Sequence, residues 1–269
     1  MTMGRFRAAP RIGHLDRLKR ICGYLRNSSN AAIRFRTNLP NHDEHMHKIV
    51  DYDWMYSVYG NVQEELPPNM PTPKGNPVRT TTFVDANLMH DLTTGRSATG
   101  ILHMVNATPI EWFSKRQNTV ESATYGSEFT AARQATDQII DLRYTLRMFG
   151  VPLDGPAWMF GDNQSVITSS NLPHSPLTKR HNALSYHRVR EAIAAKLMYF
   201  LHLEGNQNPA DIMTKFLPWN IARAFIEPLL MWRGDTNDIA PPKEGSEKLK
   251  RELVSFISSL YASRCDTWC

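Results

Sequence analysis

The chain contains 269 residues, of which 41% are hydrophobic, so it can bury one ordinary core but is short for two full-sized domains. It has no run of about eighteen apolar residues, and no apolar stretch follows the basic residues 1–11, so neither a membrane span nor a secretory signal is expected. The three cysteines do not indicate a disulfide framework, and a reducing, intracellular compartment is expected. A formal net charge of +5 favours a polyanionic partner only weakly, because many basic proteins bind no nucleic acid.

The first part of the chain shows one regular element and then an irregular stretch. Residues 14–26 have apolar side chains at helical spacing and basic side chains elsewhere, which predicts a basic amphipathic helix. Over residues 38–78 the pattern dissolves into polar, aromatic and proline-rich stretches, which we interpret as a linker. Its histidine-rich part, 42–47, is interpreted as a solvated loop rather than a metal site, because no helix or strand signal fixes its geometry.

Beyond residue 78 strands and helices alternate. Three β-rich runs come first, followed by a long helix without proline and then by further strands and helices. The predicted strands are Thr80–Ala86, Gly100–Val105, Ile110–Lys115, Ala157–Phe160 and Leu197–Leu203. The predicted helices are Glu121–Phe149, one from about Asn163, Asn182–Ala195 and one that begins within Ala210–Lys215. This order predicts an α/β fold of RNase H-like architecture, in which helices flank a five-stranded mixed sheet of three antiparallel strands followed by parallel additions.

These patterns divide the chain into four parts. They are the basic helix (1–37), the linker (38–78), a catalytic domain (79–217) and a C-terminal tail (218–269) with an apolar helical stripe near its end.

Four acidic residues occupy positions that solubility does not explain. Asp85 interrupts one apolar strand and Asp162 ends another. Glu128 lies on the apolar stripe of the long helix, where an uncompensated carboxylate costs several kcal/mol, and Asp211 opens the last helix. Each also has an ordinary explanation: a turn residue at 85, an N-cap at 162, a side chain at the edge of the stripe at 128, and an anion favoured by the helix dipole at 211.

The four carboxylates together predict a site, because the elements that carry them are neighbours in this architecture. Several carboxylate oxygens suit Mg²⁺ or Mn²⁺, and no comparable group of cysteines or histidines favours zinc. A pair of such ions activates water for in-line displacement at phosphorus. The pattern therefore predicts phosphodiester hydrolysis.

A series of short motifs runs in order from about Thr81 to Leu217. They are FVDA (83–86), RSATG (96–100), PIEWFSKRQ (109–117), SEFTA (127–131), GDNQS (161–165), TKRH (178–181), YHRVRE (186–191) and NPADIMTK (208–215). In sequence and spacing they resemble the ribonuclease H region of copia-type LTR retrotransposon Pol polyproteins. Residues 9–14 and the helix after them resemble the end of that family's reverse-transcriptase region.

This resemblance implies cleavage of the RNA strand of an RNA–DNA hybrid with two Mg²⁺ or Mn²⁺ ions per site, held by Asp85, Glu128, Asp162 and Asp211. Three features depart from the family or its relatives. No polymerase part with a Tyr-x-Asp-Asp motif is present, no histidine lies between Leu203 and Asp211, and Gly126 weakens the helix that carries Glu128 by up to about 1 kcal/mol relative to alanine.

The expected substrate contacts are polar side chains close to these motifs. They are Ser114, Lys115, Arg116, Gln117, Asn163, Gln164, Lys179, Arg180 and His181. For Lys115 and Arg116 a solvated strand end is an equally good explanation. The expected partners are the hybrid and the rest of a Pol protein, in the cytoplasm, in virus-like particles or in the nucleus, with the oligomeric state left open.

Two other functions compete with an active nuclease. The chain could be a catalytically inactive retroelement remnant that binds nucleic acid or proteins, although the presence of all four carboxylates argues against decay. It could also be a DDE transposase or integrase, but there the catalytic glutamate comes late in the chain, whereas Glu128 comes second.

Overall fold

Between residues 79 and 217 the strands and helices follow the predicted order. The computed structural model describes residues 9–33, 35–49, 53–173 and 182–232. The strands are β1 (Ala31–Ile33), β2 (Thr80–Asp91), β3 (Arg96–Val105), β4 (Thr108–Arg116), β5 (Ala157–Gly161), β6 (Met198–His202) and β7 (Leu230–Trp232). The helices are α1 (Ile12–Asn27), α2 (Asp43–Met46), α3 (Asp53–Tyr59), α4 (Thr124–Met148), α5 (Gln164–Asn171), α6 (Ala183–Ala194), α7 (Asp211–Thr214) and α8 (Trp219–Ile226).

Five of the strands form one mixed sheet in the order β4-β3-β2-β5-β6. β2 pairs antiparallel with β3, and β3 pairs antiparallel with β4. β5 is parallel to both β2 and β6. The predicted α/β class and the RNase H-like five-stranded mixed sheet are therefore confirmed.

One face of the sheet packs against helices. α4 lies on β2 and β3 and also contacts α6, while α5 packs on β6 and α6. The core between these layers includes Val84 and Ile101 from the sheet and Phe129 and Ile139 from α4, each at most 2% exposed. This packing buries the apolar stripe of the long helix and so fixes where Glu128 points.

The opposite face of the sheet is covered in part by the segment around α2. His42 is 1% exposed, its ring lies 4.5 Å from that of Trp158, and its Nε2 is 3.1 Å from Thr81 Oγ1. Burial lowers the pKa of His42 to about 3, so the imidazole is neutral at physiological pH. His45 is also buried, beside Phe160. The prediction of a solvated loop at 42–47 is therefore wrong, because two imidazole rings pack on aromatic side chains of β5 that are distant in sequence.

The next part of the predicted linker contacts the helical side of the domain. Glu64 accepts hydrogen bonds from Arg143 at 2.8 Å and from Arg147, both on α4. The guanidinium of Arg190 on α6 lies 4.0 Å from the ring centre of Trp54. The described residues of the predicted linker thus contact both sides of the domain, through His42 and His45 on one side and Trp54 and Glu64 on the other, while the boundary at residue 78 stays a prediction.

Several elements differ in length from the prediction: β3 begins at Arg96 rather than Gly100, and α4 begins at Thr124 rather than Glu121. β2 does not end at Ala86 but continues to Asp91, because β3 goes on pairing with it through Asn87 and, beyond a bulge, through Asp91 and Arg96. The last predicted helix is a single turn, α7, since the backbone becomes extended at Lys215 and Pro218 separates it from α8.

The ends of the described chain meet in a second, small sheet. β1, just after the predicted basic helix α1, pairs antiparallel with β7 from the predicted tail. The apolar stripe predicted near the end of the tail lies outside the described residues. No described helix is long and apolar enough to cross a membrane.

Candidate metal centre

Asp85, Glu128 and Asp162 reach one point from three different elements. Asp85 lies in the middle of β2 and is 1% exposed, and Glu128 lies in the second turn of α4 and is 7% exposed. Asp162 follows directly after β5 and is half-buried. One carboxylate oxygen from each residue lies within 4.8 Å of the other two. The structure therefore brings three of the four predicted carboxylates into one cluster.

Asp211 joins this cluster through a lysine. Asp211 is the first residue of α7, and Lys215 directly follows that turn. The Nζ atom of Lys215 lies 2.6 Å from Asp211 Oδ1 and 3.3 Å from Asp85 Oδ1. The hydroxyl of Thr214 donates a hydrogen bond to the other oxygen of Asp85. Asp211 is thus beside the three-carboxylate cluster, with an ammonium group between it and Asp85.

A glycine on β3 makes the close approach of α7 possible. Gly100 pairs with Asp85 in the register of the two strands. A Cβ atom at this position would lie only 2.6 Å from Thr214 Cγ2, well inside van der Waals contact. Any side chain at 100 would therefore push α7, with Asp211 and Lys215, away from Asp85.

The turn before α7 is fastened to the strand that carries Asp85. Asn208 is fully buried, and its Nδ2 donates to the backbone oxygen of Val84 at 2.8 Å. Its Oδ1 accepts from the backbone N–H of Ala210 at 3.1 Å. The amide side chain thus links the two backbones on either side of the site and sets the position at which α7 begins.

Gly126 has a packing role that its helix propensity does not reveal. A Cβ atom at 126 would overlap the carboxylate of Glu121, which is 5% exposed. The glycine thus lets the segment before α4 fold tightly against the turn that precedes Glu128.

The electrostatics of the cluster oppose ionisation of its members. Burial raises the pKa of Glu128 well above its ordinary value of 4.5, and the nearby charges of Asp85 and Asp162 raise it further. Burial and Asp85 also raise the pKa of Asp162, and they raise the pKa of Asp211 to about 6. The raised pKa values show that the carboxylates concentrate negative charge in a poorly hydrated space. A bound cation would reduce the repulsion between them.

Lys215 is the positive charge that partly compensates them. Burial lowers its pKa, but the charges of Asp85 and Asp211 outweigh that effect, so the pKa of the ammonium lies above its ordinary value. The group stays protonated at all physiological pH values.

The carboxylates line an open cleft of about 360 Å³. Its wall includes Asp85, Glu128 and Asp162 together with Asn87, Asn163 and Lys215. Grouped carboxylate oxygens of this kind fit Mg²⁺ or Mn²⁺, which prefer hard oxygen ligands, better than zinc or copper. The cluster can therefore hold a divalent cation where a ligand from solvent can reach it.

Gln117 and Ser114, both predicted substrate contacts, form hydrogen bonds that join separate elements of the fold. Gln117 is 5% exposed, and its Nε2 donates to Thr99 Oγ1 at 3.0 Å and to the backbone oxygen of Ser127 at 2.8 Å. Ser114 is exposed and donates to the backbone oxygen of Met213 at 2.5 Å. Gln117 thus ties the sheet to α4 and Ser114 ties β4 to α7, while their contact with a substrate stays a prediction.

The two cations at the end of β4 differ from each other. Lys115 is exposed. Arg116 is partly exposed, and its Nη1 lies 2.5 Å from Oδ2 of Asp91, whose side chain is 1% exposed. Arg116 therefore neutralises a buried carboxylate, and a test of substrate binding has to treat the two residues separately.

Asn163 and Gln164 lie at the N-terminus of α5. Asn163 lines the cleft, and its Oδ1 caps the helix by accepting from the N–H of Val166 at 3.2 Å. Gln164 is exposed and donates to Thr168 Oγ1 at 3.1 Å. The predicted contacts Lys179, Arg180 and His181 lie outside the described residues.

Several residues that shape the site are not acidic and so do not stand out in the sequence. Lys215 and Thr214 lie in the same motif as Asp211, and Gly100 lies in the RSATG motif. The spacing of Lys215 is a possible signal, because it lies four residues after Asp211 and can be on the same side of a helical turn. No local pattern indicates that Gly100 faces α7.

Comparison with known proteins gives sequence relatives but no family-model match. The chain is 30% identical over 138 residues to a retrovirus-related Pol polyprotein from transposon TNT 1-94 of Nicotiana tabacum. It is 24% identical over 144 residues to the corresponding polyprotein from transposon RE2 of Arabidopsis thaliana. The matches cover 51% and 53% of the chain, which spans only about 10% of the length of each relative. No protein-family model matches the chain.

The solved structures to which the chain is similar include RNase H domains. The N-terminal RNase H domain of a Mycobacterium tuberculosis protein, fused to maltose-binding protein, has 11% identity and a TM-score of 0.39, with 56% of this chain and 97% of that one covered. An RNase H1 isolated from compost, in complex with an RNA/DNA hybrid, has 12% identity and a TM-score of 0.38, with 51% and 93% covered. Because these TM-scores lie below 0.5, the fold assignment rests on the order and direction of the strands. The chain is thus similar in sequence to retrovirus-related Pol polyproteins of plant transposons, and its five-stranded sheet with flanking helices has the RNase H-like fold.

Proposed function

We propose that the chain hydrolyses the RNA strand of RNA–DNA hybrids with two divalent metal ions held by Asp85, Glu128, Asp162 and Asp211. The observation that carries this proposal is the convergence of two buried carboxylates, from β2 and α4, with the half-buried carboxylate at the end of β5, one oxygen of each lying within 4.8 Å of the others. A fold does not maintain such a cluster for stability, because like charges in a poorly hydrated space repel each other.

Different residues of the chain would bind the metal ions and orient the substrate. Bound divalent ions would activate a water molecule and stabilise the leaving oxygen. Thr214 fixes one oxygen of Asp85, so that this carboxylate has one orientation before a metal binds. Asn163 lines the cleft, its Oδ1 is held by the N–H of Val166, and its amide nitrogen would face a phosphate or sugar of the bound hybrid.

The sequence relatives support the biological setting of the proposal. Both are Pol polyproteins of transposons, and they match 138 and 144 residues of this chain. We infer that the chain acts as a part of a Pol protein of the copia type, with an RNA–DNA hybrid as its substrate and the rest of that protein as its partner.

The decisive experiment is a gel assay with three labelled substrates of one sequence. An RNA–DNA hybrid, the same RNA alone and the corresponding DNA duplex are each incubated with the protein in Mg²⁺, in Mn²⁺ and in chelator. We expect shortening of the RNA strand of the hybrid in the presence of metal, with the DNA strand and the DNA duplex intact. Hybrid binding without cleavage in either metal would favour the inactive remnant, and cleavage of the DNA duplex would favour a transposase-like nuclease.

A second prediction concerns the exposed cation at the end of β4. Lys115→Ala should weaken hybrid binding, and the logarithm of affinity should depend less steeply on the logarithm of salt concentration, by about 0.7–0.9 for one lost phosphate contact. Arg116 is left unchanged, because its loss would leave the buried Asp91 without its cation. Filter-binding or anisotropy titrations at several salt concentrations measure the slope. An unchanged slope would mean that Lys115 is an ordinary surface residue.

A further inference from the structure

We propose that Lys215 is the internal counter-ion of the metal-free site and competes with divalent cations for Asp85, so that this lysine lowers the affinity of the centre for metal. In this role Lys215 is a positioning residue, and its ammonium group moves away from Asp85 when a metal ion binds there. The inference rests on the metal-binding part of the proposed function and does not depend on which phosphodiester is cleaved.

The first argument is the position of the ammonium group. Its Nζ lies between two carboxylates on different elements, 3.3 Å from Asp85 on β2 and 2.6 Å from Asp211 on α7. The side chains of these two residues are 1% and 12% exposed, so water compensates little of their charge. Lys215 therefore links the single turn of α7 to the sheet in the absence of metal.

The second argument is that both carboxylate oxygens of Asp85 already have partners in the metal-free protein. Oδ2 accepts the hydroxyl of Thr214, and Oδ1 faces Lys215. A divalent cation that binds the oxygen facing Lys215 would stand within a few ångströms of Nζ, where two positive charges repel strongly in a half-buried cleft. Metal binding at Asp85 and the present position of the ammonium group therefore oppose each other.

The third argument is that the side chain of Lys215 has room to move away from Asp85. Its side chain is 34% exposed and lines the same cleft as the carboxylates. Its backbone is extended, outside the helical turn, and its four-carbon stem is flexible. Released from Asp85, Nζ would stay in the cleft, where it can face the phosphate of a bound substrate.

The test measures Mg²⁺ binding without any nucleic acid. Mg²⁺ is titrated by calorimetry into the wild type and Lys215→Met, which keeps the length of the side chain and removes its charge. We expect Lys215→Met to bind Mg²⁺ about tenfold more tightly or better, because one like charge at close range has gone. Its melting temperature in chelator should fall, since Asp85 and Asp211 lose their cation.

Two further variants make the result specific. Lys74→Met changes the net charge equally, and Lys74 is exposed and does not line the cleft, so its Mg²⁺ affinity and melting temperature should match those of the wild type. Lys215→Gln keeps a donor for Asp211 and serves if Lys215→Met does not fold.

The outcomes separate this inference from the proposed function. Equal or weaker Mg²⁺ binding by the Lys215 variants, in a wild type that cleaves the hybrid, would overturn the counter-ion role alone. Tighter Mg²⁺ binding by the variants, in a protein that cleaves no hybrid, would support the counter-ion role and overturn the nuclease. Absence of Mg²⁺ and Mn²⁺ binding in every protein would overturn both.

Discussion

Asp162→Asn is expected to abolish detectable cleavage of the RNA strand while the protein remains folded, and Asp85→Asn should do the same. Each change replaces a proposed, charged metal ligand with a neutral amide of nearly equal volume, so we expect the loss to come from the chemistry of the site rather than from packing. The measurement is the hybrid gel assay at saturating Mg²⁺, with the far-ultraviolet circular dichroism of each variant as a check on folding.

Asp162→Asn is the easier of the two variants to interpret. Burial and the charge of Asp85 raise the pKa of Asp162, so its ionised form is disfavoured in the metal-free protein. Neutralising it should leave the melting temperature in chelator unchanged or higher. Asp85→Asn also alters the contacts with Lys215 and Thr214, so a change in its stability has more than one cause.

The matched control is Asp141→Asn on the exposed surface of α4. It makes the same chemical change outside the cleft and should cleave like the wild type. Cleavage at the wild-type rate by Asp162→Asn or Asp85→Asn would remove that residue from the catalytic centre.

The parts of the fold that local patterns determine could be predicted from the sequence. β-branched runs separated by turn signals located the five strands of the main sheet, and the uninterrupted helical stripe located α4. The positions of Asp85 and Glu128 could be predicted for the same reason, because a carboxylate that interrupts an apolar pattern is visible without knowledge of the fold.

Features that depend on contacts between distant segments could not be predicted in this way. His42 is buried because the fold places Trp158 beneath it, and nothing near residue 42 carries that information. The position of Lys215 between Asp85 and Asp211 depends on how closely α7 approaches the sheet, which is set by the missing side chain at Gly100. The sequence therefore indicated which residues carry negative charge into the site but not which residue balances it.

The burial of Glu128 leads to the last prediction, which concerns metal and stability together. If a divalent ion compensates this carboxylate, the folded state binds metal better than the unfolded chain does. The free energy of unfolding should then rise with Mg²⁺ concentration as RT ln(1 + [L]/Kd), by about 2.7 kcal/mol at a hundredfold excess over Kd. Glu128→Gln should largely remove this dependence together with the activity.

The same variant should change the pH dependence of the metal-free protein. Because burial and the neighbouring charges of Asp85 and Asp162 raise the pKa of Glu128, its contribution to stability is fully present below its ordinary value of 4.5. That contribution is lost as the pH rises through the raised pKa of the folded state. Glu128→Gln has no titrating group there, so in chelator its melting temperature should fall less above pH 4.5 than that of the wild type.

Melting curves of both proteins across a magnesium titration and a pH series measure these effects. Glu65→Gln, at an exposed position outside the cleft, is the matched control and should respond to Mg²⁺ like the wild type. A glutamate that reached water at the edge of the apolar stripe would give the same Mg²⁺ response in wild type and Glu128→Gln. Parallel curves for those two proteins would therefore exclude Glu128 from the metal centre, because a ligand cannot be neutralised without weakening the binding of the ion that it holds.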